Sequence, residues 1–380
     1  MFRQSACRTS RHPLFLWPVA FLLALSSISA VAQEDSISTA KRAQIEKAVS
    51  AFITANSVPG VSIAIVQNGQ SAWSAGFGVA DLEDSAPATA STLYRLGSIS
   101  KSITAVAILQ LYERGKLDLD APVQKYCPAF PQKDSPITSR QLLGHLSGIR
   151  HYNKDGKGDV PDDSARHFAS MEESLQLFAS DQLLSKPGAQ FHYSTYGYTL
   201  LGCVLEGAAS QKYTDFVREN VFHPAEMEHT QADDFFTIIP HRTRWYHRDK
   251  TGAVRNAGVL DSSYKIPGGG LISSADDMAK FEVALLADKL LKRSTRDLMW
   301  TVGHPTEGQP SRYALGWFIA DKFGVHTAGH SGGQQGTDTD FIIAPDCNLG
   351  VIVLANMDNV NTSTLADSLL KITLDLPDKN

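Results

Sequence analysis

Apolar and polar positions change rhythm several times along the chain, and each change predicts an element. Residues 38–55 place Ile45, Val49, Phe52 and Ile53 at helical spacing, which predicts an amphipathic helix. Two runs of strand length follow, 60–66 and 71–79, separated by Gln67-Asn68-Gly69-Gln70. Asn-Gly between such runs predicts a β-hairpin. After a polar connection over 81–91, the stretch 94–112 passes from a short extended run through Gly97 into a segment with little polar interruption. That pattern predicts a largely buried helix, with Gly115 placed to cap its C-terminal end.

From 117 to about 287 helical signals dominate. Residues 137–143 read as a capped helix start, and 195–210 carry apolar residues at helical spacing behind a Pro187-Gly188 turn. The charged, glycine-containing segment 153–163 predicts a surface loop at the edge of a site. Ile266-Pro267-Gly268-Gly269-Gly270 lacks the Gly-Lys-Ser/Thr of a phosphate loop, so it predicts a sharp turn before a helix capped near Ser274. Strand-length runs return at 313–320, 325–328, 340–344 and 349–355, and a last helix is predicted over 363–374. The expected fold is α/β: one antiparallel sheet built from both chain termini and flanked by helices, with a large, mostly helical insertion over about 117–290. Ser98 falls where the sheet half meets the helical half, the kind of junction at which pockets form.

Charge and composition alter this picture at the N-terminus. Arg3, Arg8 and Arg11 precede an apolar run over 14–25 that ends in Ala30-Val31-Ala32, with no acidic residue before Glu34. This predicts a signal peptide over 1–32 and a mature domain over 33–380, exported to a periplasm or secreted, with a mitochondrial presequence as the alternative. The run is too short for a good membrane anchor. Losing three arginines takes the formal net charge from −5 to −8, which argues against nucleic acid or an anionic membrane as partner. The mature chain keeps Cys127, Cys203 and Cys347, read as buried thiols, with one disulfide open in an oxidising compartment. His145, His151, His192, His241 and His247 show no helical metal spacing, and His326 and His330 are separated by a predicted strand and Gly329. No metal or cofactor is expected, and the expected partner is a small-molecule or peptide substrate.

The chemistry concentrates in Ser98 and Lys101. Their i, i+3 spacing puts a hydroxyl and an amine on one helical face, at the end whose free N–H groups favour developing negative charge. Ser-x-x-Lys also occurs at Ser38/Lys41, Ser262/Lys265 and Ser368/Lys371, all read as solvated faces. Only the Ser98 pair opens a helix too apolar for the surface, where a lysine loses proton affinity and serves as a base. A phenol from Tyr193 and the glycines of His330-Ser331-Gly332-Gly333 are the candidate companions.

The order Ser-x-x-Lys, Tyr-Ser-Thr and His-Ser-Gly resembles the serine β-lactamase and penicillin-binding protein superfamily, in its class C and esterase-like branch. Leu143-Gly144-His145-Leu146-Ser147-Gly148-Ile149 resembles that branch's His-x-Ser/Thr-Gly segment. Residues 147–152 and 191–199 look most like the mitochondrial serine β-lactamase-like group and its bacterial relatives. The resemblance implies Ser98 as acylated nucleophile, Lys101 as proton acceptor or electrostatic activator, and Tyr193 as proton shuttle. It also implies an oxyanion hole from the Ser98 and Gly333 N–H groups, with Thr195, His330, Ser331 and Gly332 contacting substrate. Two departures bear on specificity: Thr195 replaces an Asn, and His330 replaces the Lys of Lys-Thr-Gly. The implied activity is a serine hydrolase cleaving an amide or ester, peptidase or esterase rather than efficient β-lactamase. A penicillin-binding D-alanyl carboxypeptidase, or a catalytically quiet binding or assembly protein of the same fold, stays open.

Overall fold

The computed structural model describes residues 37–152 and 164–376. The predicted signal peptide and the predicted loop over 153–163 lie outside the described residues.

One antiparallel sheet of seven strands organises the chain. In chain order its strands are β1 (Gly60–Gln67), β2 (Gln70–Asp81), β3 (Ala86–Pro87), β4 (Phe318–Lys322), β5 (Val325–Gln334), β6 (Thr337–Ala344) and β7 (Leu349–Ala355), arranged β3-β2-β1-β7-β6-β5-β4. The two termini meet where β1 pairs with β7, Val61 opposite Ala355 and Ile65 opposite Val351. The β1–β2 hairpin turns through Asn68 and Gly69, both at positive φ (56° and 72°). An Asn-Gly pair enters that conformation at little cost, and its twist suits a two-residue hairpin.

Both faces of the sheet are covered, which explains why β1 and β7 read as unbroken apolar runs. Val61, Ile63, Ile65, Val351 and Val353 pack beneath helices α1 (Thr39–Asn56) and α5 (Thr362–Thr373). On the opposite face, Ala64, Ile352 and Leu354 join the larger core built with α2 (Ser100–Glu113), α3 (Thr195–Ala209) and α4 (Ala275–Leu286). Period-two alternation places successive residues of one strand in the two cores.

Helix α2 is the central post. Twelve of its fourteen residues are buried, so its polar side chains need internal partners. Ser102 Oγ donates to Gly316 O at 2.8 Å, Thr104 Oγ1 donates to Pro267 O at 2.7 Å, and Ser100 Oγ accepts from Leu271 N at 3.2 Å. The last two bonds tie the helix to the Ile266–Gly269 turn and the strand after it, and the first ties it to the segment ahead of β4. A second tie is the buried Arg95–Asp233 ion pair at 2.7 Å, with the Arg95 guanidinium over the Trp245 ring.

The stretch between α2 and α4 is less helical than its sequence predicts. Among its described residues, the helices besides α3 are short, such as Ser139–Leu143, Met171–Ser174 and Tyr213–Val217. It also holds the short strands Gln231–Ala232, Tyr246–Arg248, Val254–Asn256 and Leu271–Ser273. Its irregular segments close their backbone bonds across the fold, as in Gly188 N to Leu146 O and His192 N to His145 O, which periodicity along the chain cannot register. The cysteine reading is also corrected: Cys127 and Cys203, 76 residues apart, form a disulfide onto α3, and Cys347 is exposed. Their Cα atoms stand 5.6 Å apart because the tertiary fold brings them together, within the span a disulfide can bridge.

Candidate active site

Ser98 sits in a 3-10 turn, Gly97–Ile99, between the strand Tyr94–Arg95 and α2. Gly97 has φ +52°, and a Cβ there would come within 3.0 Å of Gly333 N. A side chain at 97 would thus be strained in backbone and wedged against β5. Across the contact, a Cβ at Gly332 would collide with the Leu96 carbonyl. Thr339 Oγ1 bridges that contact, 3.0 Å from Leu96 O and 3.1 Å from Gly332 O. The nucleophile turn and the His330–Gln334 half of β5 are therefore pressed backbone to backbone. Strand β4 pairs with β5 only as far as Gly329, and no atom stands within 4 Å of where a Cβ on Gly333 would be. Gly333 thus borders open space beside Ser98, where a substrate carbonyl can approach.

Lys101 is fully buried. Its Nζ lies 2.9 Å from Ser98 Oγ and donates to Gly268 O at 2.5 Å and Thr195 Oγ1 at 3.2 Å. Ser98 Oγ, Gly268 O and Thr195 Oγ1 thus all lie within hydrogen-bond reach of the one amine. Burial first, and then the charge of Lys265, hold the Lys101 pKa well below its ordinary value.

Tyr193 stands just ahead of α3, whose N-cap Ser194 accepts from Gly197 N at 2.9 Å and donates to Arg150 O at 2.6 Å. Burial pushes the pKa of its phenol above the ordinary 10, with Ser98 opposing part of that rise. Lys101 Nζ lies 4.9 Å from the ring centroid. The sequence offered His145 as part of the resemblance and set it aside as a metal ligand; in the fold it packs against this phenol. Its ring centroid is 4.3 Å from that of Tyr193, and its Nδ1 accepts from Ser194 N at 3.1 Å. His151 Nδ1 likewise accepts from Thr195 N at 3.2 Å. Two imidazoles thus hold the start of α3, and burial keeps His145 neutral by lowering its pKa well below 6.5.

The remaining candidates are placed differently from one another. Thr195 is buried, its hydroxyl committed to Lys101. His330 is buried behind Tyr193. Its Nδ1–H donates to Ser331 O at 2.6 Å, and its Nε2 accepts from Tyr313 OH at 3.0 Å. Burial, aided by the Lys101 charge, lowers its pKa to about 3, so the imidazole is neutral. Ser331 is exposed, and its neighbour across the pair is Asp340 on β6. Tyr196 and Tyr198 are core residues. Among the described residues no three His, Cys, Asp or Glu side chains form a metal-binding group.

The cleft in front of Ser98 has a volume of about 540 Å³ and is walled among others by Tyr152, Tyr264, Lys265, Gln334 and Asp358. Lys265 corrects an expectation. Its Ser-x-x-Lys copy is not a solvated face: Ser262 is fully buried and Lys265 is 5% exposed. The signal that could have found it is the copy's position directly before Ile-Pro-Gly-Gly-Gly. The copies at Ser38 and Ser368 do lie towards the surface.

Residues 45–372 match the Beta-lactamase family. The mitochondrial serine beta-lactamase-like protein LACTB of Mus musculus is 32% identical, over 83% of this chain and 77% of its own. The octameric penicillin-binding protein homologue of Pyrococcus abyssi superposes with a TM-score of 0.76 at 28% identity, over 88% of this chain and 78% of that one. A D-stereospecific amidohydrolase from Streptomyces sp. does so with 0.72 at 26% identity, over 87% and 97%.

Proposed function

The chain belongs to the beta-lactamase family, a family of serine hydrolases, and from that premise we propose that it cleaves an amide or ester through a Ser98 acyl-enzyme. Ser98 Oγ attacks the carbonyl carbon as its proton passes to the Lys101 lone pair. The Ser98 and Gly333 N–H groups hold the oxyanion, each such donor contributing about 2.7–4 kcal/mol to lowering the barrier. Tyr193, kept as a phenol by burial, donates its proton to the leaving nitrogen or oxygen and is reprotonated from Lys101. Water then repeats the sequence on the ester, returning Ser98 and releasing the acid. The observation that carries this reading is the Lys101 amine: buried, short of proton affinity and 2.9 Å from Ser98 Oγ. Amidase, peptidase or esterase chemistry is favoured over efficient β-lactam hydrolysis. Thr195 offers no side-chain amide, and His330 is neutral and turned to Tyr313. The relative described as a D-stereospecific amidohydrolase supports the same direction.

Intact-protein mass after a fluorophosphonate probe tests the reading. One adduct in wild type, absent from Ser98→Ala, is the expected result; no adduct on the folded protein, or an adduct kept by Ser98→Ala, overturns it. A parallel exposure to penicillin reads whether a stable penicilloyl adduct forms instead of turnover.

We infer further that the protein is exported after cleavage before Gln33. The arginine-led apolar segment and the Cys127–Cys203 bond, which favours an oxidising compartment, support this. N-terminal sequencing of the exported fraction from a bacterial host should begin at Gln33; an uncleaved cytoplasmic product rejects export.

A further inference from the structure

His145 carries two costs that filling space does not explain. It follows the short helix Ser139–Leu143, whose capping box joins Thr138 and Gln141, and it takes φ +58°, a left-handed backbone uncommon outside glycine. It is 1% exposed, and its Nε2 has no hydrogen-bond partner among the described residues. A sparsely populated backbone and an unpaired buried polar group persist only where the surroundings over-determine them.

The same residue brackets Tyr193 from both sides. Its carbonyl accepts from His192 N at 2.8 Å, and its Nδ1 accepts from Ser194 N at 3.1 Å. A backbone N–H can only donate, so Nδ1 carries no hydrogen and the neutral ring keeps its hydrogen on Nε2. The ring lies against the phenol, with 4.3 Å between centroids and a tilt of 44°; Tyr313 at 4.5 Å and Phe191 at 5.8 Å complete the stack. Main chain thus fixes the residue before Tyr193, side chain fixes the residue after it, and the ring backs the phenol. All three contacts are made from the one left-handed position.

We propose that His145 is a positioning residue for the proton donor, clamping His192 and Ser194 so that the Tyr193 phenol between them stays aimed at Ser98. The proposal rests on the acyl-enzyme reading above and adds the residue that sets its donor. Bonds from Ser194 Oγ to Arg150 O and from Thr195 N to His151 Nδ1 secure the start of α3 itself, so loss of His145 falls on Tyr193 before it falls on the helix. The leaving group reports such a loss. Ethanol departs only with a proton, whereas p-nitrophenolate departs without one, so a misaimed phenol slows the ethyl ester alone.

The test measures kcat/KM for ethyl butanoate and p-nitrophenyl butanoate on wild type, His145→Leu, His145→Asn, Tyr193→Phe and the double variant His145→Leu with Tyr193→Phe. His145→Leu should cut the ethyl ester on the order of 10²-fold, the penalty of about 1 Å of misplacement, and the p-nitrophenyl ester less than about 5-fold. The double variant should lose no more than Tyr193→Phe alone. His145→Asn should restore most of the loss, because its Oδ1 takes the place of Nδ1 and Asn accepts the left-handed backbone. Equal losses on both esters, or losses that multiply in the double variant, overturn the proposal, because His145 then only supports the fold. If His145→Leu fails to fold, His145→Phe, which keeps a ring and drops the acceptor, takes its place with the same expected outcome. Crystal structures of wild type and the variant read the clamp without turnover: a displaced Tyr193 ring with α3 in place supports it, and an unmoved ring overturns it. Failure of wild type on both esters, or a neutral Tyr193→Phe, strikes the acyl-enzyme reading instead, and the ring position then decides the clamp by itself.

Discussion

Lys101 and Tyr193 both reach Ser98, and burial sorts their roles by acting oppositely on the two. Desolvation lowers the pKa of an amine and raises that of a phenol, which favours Lys101 as acceptor and Tyr193 as donor in the proposed acyl-enzyme chemistry. The active form of Lys101 is its unprotonated one. The rate of fluorophosphonate labelling should therefore rise with pH through a pKa well below 10.5 and be fully developed at lower pH than an exposed lysine would allow. A labelling profile that climbs only towards pH 10.5 would show an undisturbed lysine. Tyr193→Phe should slow turnover by about 10²–10⁴-fold, the range for loss of a general acid–base, with the protein still folded by circular dichroism.

At the scale of elements, two contacts carry the site. The Ser98 turn presses on β5 through Gly97, whose left-handed backbone costs any residue with a Cβ about 1–2 kcal/mol before the collision with Gly333 is counted. Gly97→Ala should lower the unfolding free energy by at least that amount and should slow Ser98 labelling more than an equally destabilising change in α1 does. The second contact is the Cys127–Cys203 bond, which fixes α3, and hence Tyr193 and Thr195, to the segment after α2. Closing a loop of 76 residues is worth about 2–5 kcal/mol by chain entropy. Cys127→Ser with Cys203→Ser should show that loss in urea denaturation, and a reducing agent should reproduce it in wild type.

Across the whole molecule, two buried acids link stability to pH. Glu282 on α4 is fully buried against Gly350, and neither carboxyl oxygen has a hydrogen-bond partner among the described residues; burial raises its pKa well above 4.5. Asp340 on β6, hydrogen-bonded to Ser363, is raised by burial to about 7. Groups with raised folded-state pKa values contribute stability that is fully present below their unfolded pKa and lost as pH rises through the folded one. Unfolding free energy should fall as pH rises from 3.8 through about 7, and Asp340→Asn should flatten that slope. Glu282→Gln should remove the further fall at higher pH. Local order along the chain already announced much of this molecule. The Asn-Gly hairpin, the two-faced strands β1 and β7, the capped α4 and the over-apolar α2 all follow from periodicity and turn chemistry, because each is settled by neighbours within a few residues. Ser98 and Lys101 were legible for the same reason, standing three residues apart where a 3-10 turn runs into a helix whose burial its own sequence declares. His145, His151 and the cysteine pair were not, since their roles depend on partners 44 to 76 residues away that only packing brings within reach, and neither was the burial of Lys265. A lysine on a short turn reads as solvated until the fold closes around it, and desolvation, the force that sets its charge and its neighbour's, is a property of the closed fold alone.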